Sequence, residues 1–90
     1  MGELKPGQLV CSKAGRDRGK YYLVWEHIDE RHVQVVDGKY KTIERPKKKN
    51  VIHLQKHNYV IQDFARDKKT GKINNSLIMN YLKEAVQAEG

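Results

Sequence analysis

Lys13, Arg16, Arg18 and Lys20 stand within eight residues of one another, and Gly15 and Gly19 interrupt them. The chemistry open to such a segment is the capture of phosphate. An arginine guanidinium pairs with a phosphate through two parallel hydrogen bonds, while a lysine ammonium acts as a point charge. The glycines permit backbone conformations that a Cβ forbids and let another chain approach closely. Two further basic groups follow: Arg45 with Lys47, Lys48 and Lys49, and Lys39 and Lys41 on either side of Tyr40. Tyr40 adds an aromatic face on which an unpaired base could stack. Tyr21 and Tyr59 offer aromatic faces too, whereas Tyr22 and Trp25 in an apolar strand and Tyr81 on a helix stripe fit packing better.

Other chemistries find less support in the residues. The run Gly15-Arg16-Asp17-Arg18-Gly19-Lys20 has three residues between its glycines, and Tyr21 follows the lysine. A phosphate-binding P-loop needs four residues there and a Ser or Thr after its lysine. His53 and His57 are four apart, a spacing that aligns side chains on a helix, but their surroundings read as strand and loop, and no second cysteine completes a zinc set. Cys11 has no matched base at a recognisable spacing and reads as a small apolar strand residue. The expectation is a chain that is not an enzyme, with no catalytic residues, no metal, no cofactor and no small-molecule substrate.

The charge points the same way. The chain of 90 residues carries 18 Lys and Arg against 11 Asp and Glu, a net of +7. Residues 1–57 hold +6 of that excess and residues 58–90 only +1. A concentrated positive charge favours polyanions, because each neutralised phosphate releases condensed counterions. A single cysteine leaves no internal disulfide and fits a reducing compartment. Residues 1–6 lack the apolar core of a secretory signal, Pro6 breaks the myristoylation pattern, and no apolar run is long enough to span a bilayer. These features predict a cytoplasmic protein that does not associate with membranes.

The elements that must hold these residues are short strands. Val10 and Ser12 alternate with Leu9 and Cys11 over residues 8–12. Residues 20–27 form the strongest strand, with Tyr21, Tyr22, Leu23, Val24 and Trp25 in succession. So continuous an apolar run implies that both faces of the strand are covered. A third strand is expected at 32–36. Asp37-Gly38 then signals a two-residue hairpin turn, with a returning strand at 40–44. Residues 45–50 read as a loop and 51–55 as a fifth strand, and the close spacing favours a small barrel. Tyr59, Val60, Ile61 and Phe64 fit either a short helix or an extended crossover. Beyond a turn at 67–72, Asn74 or Asn75 would cap a helix whose stripe is Leu77, Ile78, Tyr81, Leu82, Ala85 and Val86. The organisation expected is a barrel over residues 1–57 and a helical extension over 58–90 that packs on it.

From Gly7 to Val24 the sequence resembles the KOW motif, a strand, a glycine-containing loop and a second strand, with Gly15 at the key glycine position. Asp37-Gly38-Lys39, the segment from Ile43 to Lys49 and His53-Leu54-Gln55 extend the likeness to a family of roughly ninety-residue bacterial KOW-domain RNA-binding proteins. These are related to the large-subunit ribosomal proteins of the L-fourteen-e, L-six-e and L-twenty-seven-e group. The resemblance implies a mainly β fold, a small SH3-like five-stranded barrel with a C-terminal helix packed on it. It also implies binding to structured RNA, ribosomal RNA or the ribosome, with ribosomal proteins as neighbours. The RNA-binding residues are then expected to be Lys13, Gly15, Arg16, Arg18, Lys20, Lys39, Tyr40, Lys41, Arg45, Lys47, Lys48 and Lys49. KOW barrels also serve as protein-interaction modules of the transcription or translation machinery, and that is the alternative expectation.

Overall fold

Tyr21–His27, strand β2, lies at the centre of the molecule and explains why its apolar run is uninterrupted. Tyr22 and Val24 face one hydrophobic cluster, while Tyr21, Leu23 and Trp25 face another. The computed structural model describes residues 4–89. Met1, Gly2 and Glu3, on which part of the signal-sequence reading rests, lie outside the described residues. Strand β1 is Gln8–Ser12, β3 is His32–Val36, β4 is Lys47–Asn50 and β5 is Leu54–Val60. They form one antiparallel sheet in the order β4-β3-β2-β1-β5. Among the described residues no helix is long and apolar enough to cross a membrane.

A three-residue 3-10 turn, Val51–His53, carries the chain from β4 on one edge of this sheet to β5 on the other. Such a turn spans only about 6 Å, so the two edges must come close and the sheet must curl strongly. Register shifts between Gln8 and Val10 and between Val24 and Glu26 assist, since an extra residue in one strand bends it and increases its twist. The curl encloses Val10, Tyr22, Val24, Val33, Val35 and Leu54 on the inner face. The sheet is nevertheless not a closed barrel, because no ladder joins β4 to β5 among the described residues.

Helices cover the outer face. Helix α1 is Phe64–Lys69 and α2 is Asn75–Glu89. Ile78 and Ala85 of α2 are buried with Leu9, Leu23, Val36 and Phe64, and Leu77, Tyr81, Leu82 and Val86 pack against them. This is the stripe expected from the sequence. Asn74 caps α2 as expected, its side-chain oxygen accepting the Leu77 N–H at 2.8 Å.

Three expectations need correction. Residues 40–44 are not a returning strand. The Asp37 carboxylate accepts the N–H groups of Lys39, Tyr40 and Lys41 at 2.8–2.9 Å, consuming the donors that a ladder would need. Asn75 then accepts the Ile43 N–H and donates to Glu44, tying the rest of the segment to the start of α2. Conversely, Lys47–Asn50 is strand β4 rather than loop, paired with β3 from Val35↔Lys47 to His32↔Asn50. Finally, the fifth strand begins at Leu54 and continues through Tyr59 to Val60, and the 3-10 turn occupies its expected start.

Gly38 has a role beyond the turn. Its φ is +82°, and a Cβ there would come within 2.4 Å of the Asn75 carbonyl oxygen. Gly38→Ala is expected to lower stability by about 2 kcal/mol or more, combining left-handed backbone strain with overlap against α2. A urea denaturation midpoint measures it, and a change of a few tenths of a kcal/mol would contradict this account of the contact.

Candidate nucleic-acid interface

The 13–20 loop is built around a carboxylate turned inward. Asp17 stands in sequence between Arg16 and Arg18, yet Asp17 is buried while both arginines are exposed. Its Oδ1 accepts hydrogen bonds from Ser12 Oγ at 2.8 Å and Lys49 Nζ at 2.9 Å. Its Oδ2 accepts from Tyr22 Oη at 2.9 Å and Lys47 Nζ at 3.2 Å. Lys49 also donates to Ser12 Oγ at 3.1 Å, which closes the cluster. Burial by itself would raise the Asp17 pKa, but the hydrogen bonds from Lys49, Ser12, Tyr22 and Lys47 together outweigh it and hold the carboxyl well below the usual range. The Tyr22 hydroxyl shifts upward, through its burial and then through the neighbouring Asp17 charge.

Backbone bonds complete the loop. Gly19 N–H donates to the Ser12 carbonyl at 2.7 Å, Ser12 N–H to Lys20 at 2.9 Å and Lys20 N–H to Asp17 at 2.9 Å. Lys13 N–H donates to the His53 carbonyl, which fastens the loop to the 3-10 turn. Gly15 and Gly19 both have positive φ, 83° and 89°, so these turns call for glycine. With Asp17 withdrawn, the loop exposes Lys13, Arg16, Arg18 and Lys20 without an accompanying surface anion of its own.

The triple lysine divides according to strand periodicity. Lys47 and Lys49 turn toward Asp17, and Lys48 points away and is exposed. Lys49 is therefore not displayed to a partner: it is buried, and its ammonium is held by a carboxylate and a hydroxyl. Lys47 is half-buried and shares the same acceptor. Of the three lysines expected to contact phosphate, Lys48 is exposed, Lys47 half-buried and Lys49 buried, and Arg45 is exposed beside them.

Tyr40 is 70% exposed, and Lys39 and Lys20 hold their ammonium groups 5.1 and 5.6 Å from its ring centre. These contacts bring the 13–20 loop and the 37–41 turn together, as sequence spacing alone could not. Lys41 is half-buried, and its carbonyl accepts the Asp37 and Gly38 N–H groups. His53 is exposed at the end of the 3-10 turn, whereas His57 lies against the Tyr21 ring and within 3.6 Å of Glu89.

Two participants escaped sequence reasoning. Asp17 is assigned no role there, although a lone acid among four cations, between two glycines, is a usable signal. Lys68 donates to the Trp25 carbonyl at 2.7 Å and lies 4.3 Å from the indole centre, so it secures α1 to β2. Scans of the chain against protein-family models and against curated proteins find no match.

Proposed function

We propose that this chain binds structured RNA, of the ribosomal or ribosome-associated kind, and that its curled, open sheet is an SH3-like fold of the KOW type. The observation that carries the reading is the withdrawal of Asp17, which leaves four exposed cations on a loop whose backbone is already fixed. A preorganised loop loses little conformational freedom when it meets a phosphate backbone. The exposed Lys39, Arg45 and Lys48 extend the cationic surface available beyond the loop. The protein has no catalytic role in this reading, and recognition works through charge and shape rather than base sequence.

Fluorescence anisotropy of a labelled RNA hairpin across a salt series tests it. Neutralising about four to six phosphates gives a slope of log affinity against log salt of roughly −3 to −5. Arg16→Ala with Arg18→Ala should reduce that slope by about two and weaken binding to unrelated RNA sequences alike. Both side chains are exposed, so the thermal unfolding profile should be retained. Undiminished affinity in the folded double variant would remove the loop from the interface. Crosslinked partners that survive ribonuclease would favour a protein-interaction module instead.

A further inference from the structure

Beside Tyr40 lies a groove of about 570 Å³ that the basic loop does not account for. One wall is the 37–41 turn, another is the end of the 13–20 loop at Gly19 and Lys20, and the third is α2. Its surface is largely apolar, supplied by Tyr21, Tyr40, Met79, Leu82 and Val86. Met79 is 45% exposed there and shares this apolar lining with Tyr40, itself 70% exposed. Three cations, Lys20, Lys39 and Lys83, stand on the lining against a single acid, Asp37. The Asp37 carboxylate is already engaged through Oδ1 by three backbone N–H groups.

An occupant must therefore combine a flat apolar body with a negative charge close beside it. A nucleotide has that composition, its base suited to the apolar walls and its phosphate to the lysines. Paired bases in an A-form helix are stacked within it and cannot enter such a groove, so the base must be unpaired. We propose that the groove between the 37–41 turn and α2 receives one unpaired nucleotide, extruded from the RNA that the loop grips. The inference rests on the RNA-binding reading and adds to it a specific structural preference and a role for α2. Met79, Leu82, Lys83 and Val86 become part of the binding surface, although they lie in the segment with almost no net charge.

The probes are a blunt RNA duplex, the same duplex carrying one bulged adenosine, and adenosine monophosphate. The bulged duplex should bind roughly tenfold more tightly than the blunt one, within the range expected from stacking a base on an aromatic face. In NMR titrations the Met79 and Val86 methyl signals should shift with the bulged duplex and remain in place with the blunt one. Met79→Glu should bring the affinity for bulged RNA down toward that for the blunt duplex. If that variant fails to fold, Lys83→Glu, at an exposed position, provides the same test. Equal affinity for the two duplexes with silent methyls would overturn the inference while leaving RNA binding intact. Failure of both duplexes to bind would overturn the RNA reading and the groove assignment together. Equally strong methyl shifts from adenosine monophosphate at the same concentration would identify a site for free nucleotides and likewise overturn the proposal.

Discussion

Replacing Asp17 by asparagine is expected to destabilise the fold by about 3–5 kcal/mol, the usual consequence of leaving a buried charge without its partner. Lys49 is the residue stranded, because its ammonium has only Ser12 Oγ as a second acceptor. Small domains are commonly stable by only about 5–15 kcal/mol, so the variant should lie close to its unfolding midpoint. Adding Lys49→Met should return much of the loss, since an apolar side chain removes the stranded ammonium instead of leaving it buried. A double-mutant cycle by urea denaturation therefore separates the pair from its surroundings. If the two losses simply add, Asp17 and Lys49 are not coupled as their 2.9 Å contact requires.

The same cluster sets the acid limb of stability. The folded Asp17 carboxyl titrates below its ordinary value of 3.8, so the folded state holds the ionised form more firmly than the unfolded chain does. Its contribution is complete above that value and is lost as pH falls toward the lower folded value. The wild-type denaturation midpoint should accordingly drop steeply below about pH 4, and Asp17→Asn should lack this component. Tyr22 acts at the opposite end. Its folded pKa is raised above 10.0, so its contribution is present below that pH and lost as the hydroxyl ionises above it.

The sequence disclosed the elements governed by local periodicity. β1, β2, β3 and the capped helix α2 were legible because alternation, an apolar run and an Asn before a helical stripe are signals carried by neighbouring residues. β4 was not, because Lys-Lys-Lys-Asn has no apolar alternation to display. Its inward positions are lysines made acceptable only by Asp17, thirty and thirty-two residues earlier. The failed 40–44 strand has a related cause. Asp37-Gly38 signals a tight turn, but whether Asp37 accepts two or three following N–H groups depends on how the chain is then tied to Asn75. Candidate site residues behaved alike: Arg16 and Arg18 were recognisable from composition, whereas the burial of Lys49 and the approach of Lys20 to Tyr40 are tertiary facts.

Phe64→Ala is the second large effect to expect, a loss of about 3–5 kcal/mol for a fully buried aromatic. Phe64 packs edge-on against Trp25 at 5.8 Å and tilted against Tyr81 at 6.4 Å, so it links both helices to the outer face of the sheet. It also fills the space beside Gly7, where a Cβ would lie within 2.7 Å of the Phe64 Cβ. The loop has a separate anchor, the Asp17 cluster and the inner core of Val10, Tyr22 and Val24. Hydrogen exchange in the variant should thus show α2 losing protection before the amides of Ser12, Gly19 and Lys20 do. RNA binding should divide in the same way. Salt-dependent affinity belongs to the loop and should persist wherever the inner core survives, while preference for a bulged nucleotide needs α2 in place and should disappear. If α2 and the loop amides instead lose protection together, the inner and outer cores open as one unit, and Phe64 supports the loop as much as the groove.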